Sequence, residues 1–187
     1  MVQTPVKALT LESFLSLIET KPASELIDGQ VIQKPMPKGK HSVIQSELTA
    51  AVNRITKPAK VAIAFTELRC SFGGNALVPD ISVLLRDRIP RDEYGAVADI
   101  FSISPDWVIE ILSPGQTSTK VTKKILHCLS YGTQMGWLID PTEQSVVVYL
   151  NDQLPVIYDQ LEAQLPVPDF SKGLKLTVGE LFGWLMI

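Results

Sequence analysis

The sequence predicts a mixed α/β fold, a central sheet with helices on its faces. Three observations lead there. The run VAIAFTELRCSF, the break GGN and the run ALVPDISVLL read as two antiparallel strands over residues 61–85. The run WVIEIL, residues 107–112, is apolar at every position but one and does not alternate, as expected of a strand buried on both faces. A helical pattern then separates WVIEIL from the strand MGWLID, and such a crossover makes a parallel pair. Antiparallel and parallel pairing together give a mixed sheet, and a strand covered on both faces needs helices on both.

The other elements follow in order. TLESFLSLIETKP predicts a short helix with Thr10 as N-cap and Leu11, Phe14, Leu15 and Ile18 as its apolar stripe. ELIDGQVIQ predicts a hairpin, because Asp28-Gly29 suits a type I′ turn. KPMPKGK is a loop, and HSVIQSELTAAVNRI is an amphipathic helix with Val43, Ile44, Leu48, Val52 and Ile55 at helical spacing. Residues 86–104 form a polar connection. A helix is expected from about Lys120 to Tyr131, after the loop SPGQTSTK. MGWLID and QSVVVYL are strands joined by the turn DPTEQ. A strand near Leu161–Leu165 and a helix in TVGELFGWLM close the chain.

The 187 residues, 45% hydrophobic and 20% charged, suit one domain over residues 1–187, and no Pro/Gly/Ser linker divides them. The net charge of −3 excludes a global basic field, so any nucleic-acid contact must rest on a local cluster. No run approaches the length of a membrane span, and MVQTPVKALTLESF lacks the apolar core of a signal peptide. Cys70 and Cys128 lie far apart and form no CxxC pair, so a reducing, cytoplasmic location is expected. Both cysteines read as small buried hydrophobes. Trp107, Trp137 and Trp184 each sit in an apolar run and read as core or interface residues.

Two acids interrupt the apolar strands. Glu110 lies in the middle of WVIEIL, and Asp80 opens DISVLL just after Pro79. An isolated carboxylate in hydrocarbon costs several kcal/mol (about 3 or more), and two near one another repel. A divalent cation removes both penalties, and hard carboxylate oxygens suit Mg²⁺ or Mn²⁺. Beyond the Glu110 strand, Lys120, Lys123, Lys124 and His127 recur three or four apart, a spacing that puts them on one side of a helix. That side could reach the same carboxylates, or a phosphate held between them.

An acid after a hairpin turn, an acid in the next apolar strand and a basic helix together resemble the PD-(D/E)XK nuclease superfamily. More narrowly, the chain resembles the Uma-type family of restriction-endonuclease-like proteins, a domain of unknown function. ELIDGQVI is similar to that family's opening hairpin, and PMPKGKHSVIQSEL to its loop and helix with a histidine, here His41, at the helix start. VPDISVL, PDWVIEILSPGQTSTKVTKKI and GWLIDPTEQSVVVY are similar to its later segments. The resemblance implies a restriction-endonuclease-like fold and a metal-dependent phosphodiesterase acting on nucleic acid, with DNA the expected substrate. It implies Asp80 and Glu110 as metal ligands, with the carbonyl of Ile111 as a neutral one. The superfamily often has a lysine two positions after the acid. Here that position is Leu112, and Lys124 matches the position from which this family supplies its lysine. Where the family tends to show a tyrosine one turn later, this chain has Cys128. His41, Lys120 and Lys123 are expected phosphate contacts, and Glu47 and Glu25 are further candidate ligands. Superfamily nucleases often act as homodimers, because cutting two strands takes two sites. The rival reading is a catalytically inactive nuclease fold that binds nucleic acid or a protein partner. Leu112 and the acidic net charge favour it.

Overall fold

The computed structural model describes residues 8–186, so the first seven residues of MVQTPVKALTLESF lie outside the described residues. The elements run α1 (Leu11–Leu15), β1 (Ser24–Ile27), β2 (Gln30–Gln33), α2 (Gly39–Thr56), β3 (Ala62–Thr66), β4 (Cys70–Phe72), β5 (Asn75–Leu77) and β6 (Ile81–Leu85). Then follow β7 (Trp107–Ile111), α3 (Ser118–Ser130), β8 (Met135–Asp140), β9 (Ser145–Leu150), β10 (Val156–Tyr158) and α4 (Val178–Gly183). Two sheets form, one of four strands in the order β2-β1-β5-β4 and one of six in the order β10-β9-β8-β7-β6-β3. The β7–β8 pair is parallel and its neighbours are antiparallel, so the sheet is mixed, as predicted.

The six-stranded sheet is covered on both faces. Trp107, Ile109 and Ile111 of β7 share a core with Ile44, Leu48 and Val52 of α2 and with Val178, Leu181 and Phe182 of α4. Val108, the alternate residue, packs with Val121, Ile125 and Cys128 of α3. Trp107 and Trp137 are fully buried and meet edge to face at 4.9 Å. Both cysteines are buried and free, and burial pushes the Cys70 thiol up to about 11. The crossover helix lies close on β8 because Gly136 has no side chain. A Cβ there would stand 2.2 Å from Ile125 Cγ2. The first hairpin turns at Asp28-Gly29 with φ of 50° and 75°, the left-handed pair a type I′ turn requires.

Three predicted elements differ. Residues 61–72 are not one strand. Glu67 takes φ of 50°, and the chain switches from β3 in the larger sheet to β4 in the smaller. The partner run breaks at the same level, at Val78-Pro79-Asp80, where proline has no N–H for a ladder. The helix α1 is capped by Thr10 as expected, but it spans only five residues. Phe14 alone of its stripe is fully buried, against Leu26 and Ala76, while Leu15 and Ile18 are exposed. Residues 161–165 form no strand. Gln164 makes a single bridge to Thr177, and Pro166 and Pro168 limit further pairing. The third strand of that meander is instead β10, paired with β9.

Candidate active site

The paired strands β6 and β7 bring the two predicted acids together. Their register sets Ile81 against Ile109. One step further along the antiparallel ladder, Asp80 falls opposite Glu110. At that end Asp80 Oδ2 accepts a hydrogen bond from the Ile111 N–H at 2.7 Å. Asp80 and Glu110 are 2% and 3% exposed, so neither is solvated as an ordinary surface carboxylate.

Lys124 reaches them from α3. The spacing Val121, Lys124, Ile125, Cys128 is the buried stripe of that helix, and the lysine occupies a core position in it. Its Nζ lies 2.7 Å from Glu110 Oε1 and 2.8 Å from Glu25 Oε1, the latter carried by β1. Glu25 also accepts the Val78 N–H at 2.8 Å. A second ammonium enters from the end of β2. Lys34 Nζ lies 2.8 Å from Asp80 Oδ1, 3.0 and 3.1 Å from the two oxygens of Glu67, and 2.7 Å from the Val78 carbonyl. His41, in the first turn of α2, presents Nε2 at 3.4 Å from Asp80 Oδ1, while its Nδ1 lies 3.1 Å from Ser113 Oγ. Gln45, one turn on, donates to the Asp80 carbonyl and to Glu67.

The charge count explains how these groups titrate. Three buried carboxylates (Glu25, Asp80 and Glu110) face two buried ammoniums (Lys34 and Lys124), an excess of one negative charge. Burial, reinforced by Asp80 and opposed by Lys124, pushes Glu110 up to about 8, so one proton on Glu110 cancels the excess. Asp80 goes the other way. Burial would raise it, but His41, Lys34 and Lys124 together hold it well below the usual carboxylate range. Burial likewise opposes the charge on Lys124 and is overcome by Glu110, Glu25 and Asp80, so this ammonium stays charged. Lys124 and Glu110 therefore do not shift as a simple ion pair. The 2.7 Å approach lacks hydrogen-bond direction, and Glu110 Oε1 has no directed donor.

A cleft of about 200 Å³ opens onto Lys34, His41, Glu67 and Asp80. A second of about 200 Å³, past Lys34 and Pro35, opens onto Glu25, Lys120 and Lys124. A larger open groove of about 540 Å³ shares Glu67 and Val78 with this cluster, and the buried acids and ammoniums lie outside it.

The donor set fits a hard divalent cation. Glu110 Oε1 and His41 Nε2 are buried atoms without a directed partner, and Asp80, just before β6, and Glu110 on β7 adjoin the last pair of that ladder. Of the other predicted site residues, Lys120 is exposed at the cleft mouth. Lys123 is exposed and pairs with Asp28 of the hairpin turn. His127, counted with the basic helix side, stacks on Phe72 at 5.1 Å and contacts none of the acids. The four basic residues thus do not act as one face. Glu47 is exposed on α2, and it is Gln45 that meets the site. Ile111 stands at the site through its N–H.

Sequence reasoning missed Lys34, Gln45 and Glu67. Lys34 sits in what reads as a loop, although its N–H continues the hairpin ladder to the Ala23 carbonyl. For Glu67 a signal existed, because the charged pair Glu67 and Arg69 interrupts an otherwise apolar strand pattern.

A mixed sheet with two acids at the end of adjacent strands and a lysine from the crossover helix defines a restriction-endonuclease-like class of protein. The family model described as "Uma2: Putative restriction endonuclease" matches residues 11–179, and the chain belongs to this family. A solved structure, a "putative nuclease belonging to DUF820" from Anabaena variabilis ATCC 29413, is 58% identical, with 95% of this chain and 99% of that chain covered and a TM-score of 0.94. No curated protein matches the chain at a significant level. Among the described residues, no helix is long and apolar enough to cross a membrane.

Proposed function

We propose that the protein is a divalent-cation-dependent nuclease, with Mg²⁺ or Mn²⁺ as its cofactor, that hydrolyses phosphodiester bonds in DNA. The single observation behind this reading is that Asp80 and Glu110 lie opposite one another, buried, with Glu110 Oε1 lacking a directed donor. Asp80 and Glu110, with the carbonyl of Ile111, would hold the cation. It would supply Lewis acidity toward a phosphate oxygen and lower the pKa of water beside it. Lys124 then does two things. Its ammonium keeps Glu110 oriented, and it offsets negative charge that develops on the phosphate during attack. Glu25 holds Lys124 from the far side, so the ammonium is fixed between two carboxylates. Lys120 at the mouth of one cleft and Lys123 nearby bind backbone phosphates, and His41 lines the neighbouring cleft beside Asp80. Glu47, exposed on α2, is the weaker candidate for a further metal ligand. A homodimer would set two such sites on the two strands of a duplex.

The second reading, an inactive fold that binds nucleic acid, is favoured by Leu112 standing where the superfamily often has lysine. Supercoiled plasmid incubated with Mg²⁺ or Mn²⁺ separates the two, with a single-stranded RNA of matched length run in parallel. Nicking that is lost in Asp80→Asn and in Glu110→Gln supports the nuclease. Plasmid binding with no nicking by the wild type supports the alternative.

A further inference from the structure

The Lys34 ammonium is surrounded by four oxygens, one from Asp80, two from Glu67 and the Val78 carbonyl, at 2.7–3.1 Å. An ammonium has only three protons to donate, so this is an oxygen shell larger than lysine can satisfy. His41 adds a nitrogen. Single donor atoms of His41, Glu67 and Asp80 all lie within 4.8 Å of one another. A six-coordinate ion with bonds of about 2.1–2.4 Å holds opposite donors about 4.2–4.8 Å apart, so the group needs little closure to bind one. Two carboxylates and a neutral imidazole also balance a divalent charge.

His41 supplies the independent sign of a ligand. It is 5% exposed, and Nε2 is buried without a hydrogen-bond partner although it points toward Asp80. With Nδ1–H donating to Ser113 Oγ, Nε2 is left to ligate, and a bound cation replaces the proton that Nε2 otherwise turns toward Asp80. Anchoring one ring nitrogen in this way is how ligating histidines are held. Gln45 does the same for the acids, through the Asp80 carbonyl and Glu67 Oε1.

We propose that His41, Glu67 and Asp80 form a second divalent-cation seat, on the opposite side of Asp80 from Glu110, which the Lys34 ammonium fills until an ion displaces it. The imidazole nitrogen makes this seat select Mn²⁺ over Mg²⁺. Lys34, once displaced, is free to swing toward the phosphates in the cleft. The seat rests on the nuclease reading only through Asp80, which both share.

The test is Mn²⁺ titration of the full chain, with pulsed electron paramagnetic resonance reading ¹⁴N coupling from a ligating imidazole. The wild type is expected to bind two ions, one of them ¹⁴N-coupled. His41→Gln and Glu67→Gln should weaken the coupled ion by at least about tenfold and leave the other. Glu67 is exposed at its tip, so this variant is expected to fold. Lys34→Met should bind the coupled ion at least about tenfold tighter, because its competitor is gone. Glu110→Gln should lose plasmid nicking but keep the ¹⁴N signal. A wild type without ¹⁴N coupling, wild-type affinity in both His41→Gln and Glu67→Gln, or no tightening in Lys34→Met would overturn the seat. Nicking without ¹⁴N coupling removes the seat and spares the nuclease reading. ¹⁴N coupling without nicking does the reverse.

Discussion

Glu110 should make the cation-free protein lose stability as the pH rises through neutrality. Its carboxyl is pushed from an ordinary 4.5 up to about 8 by burial and by Asp80, against the pull of Lys124. The folded protein therefore holds a proton that the unfolded chain releases above pH 4.5. Where the native state binds more protons, unfolding free energy falls with rising pH, by up to 1.36 kcal/mol per pH unit for one proton. The loss begins near pH 4.5, ends near pH 8, and amounts to about 3 kcal/mol between pH 5 and pH 8. Asp80 has the opposite sign. Its lowered pKa contributes stability above 3.8 that is lost only at more acid pH, outside this window. Urea unfolding with a chelator present, at steps from pH 5 to pH 8.5, measures the effect in the wild type and in Glu110→Gln. The difference between the two cancels every other titrating group. It should grow with pH in favour of the variant, and parallel curves across the whole range would refute the charge count.

Lys124→Met should destabilise the protein by about 3–5 kcal/mol at pH 7, because Glu25 and Glu110 lose their shared ammonium. Adding Glu110→Gln to that variant should recover part of the loss, read as urea midpoints. Gly136→Ala should cost roughly 1–3 kcal/mol, since its Cβ would stand 2.2 Å from Ile125 on the helix that carries Lys124. Thermal melting together with plasmid nicking should show both stability and activity reduced. Lys120→Ala should leave stability within about 0.5 kcal/mol, because the residue is exposed. It should weaken plasmid binding and flatten the salt dependence by about one unit of slope, measured by anisotropy at several salt concentrations.

The parts of this fold that were legible in the sequence are those decided locally. WVIEIL has no alternation, so burial on both faces follows from the pattern, and the helix before MGWLID dictates the parallel pair. Asp80 and Glu110 stood out because a carboxylate in an apolar strand has a known cost. Lys124 was visible by position, yet its burial was not, since a lysine run looks the same whether solvated or turned inward. The register of three elements separates Lys124 at a core position from Lys123 at the surface. Lys34 was hidden for a related reason. Its role depends on the ladder of β1 and β2 carrying it to Asp80, some 46 positions away in sequence. The switch at Glu67 depends on a tertiary choice between two sheets, which no local propensity encodes.

The central claim is that Asp80 and Glu110 share one divalent cation. Anomalous diffraction from crystals soaked in Mn²⁺ tests it most directly. The account predicts a peak within about 2.0–2.5 Å of a carboxylate oxygen from each residue. Strong peaks elsewhere, with none bonded to both acids, would contradict it.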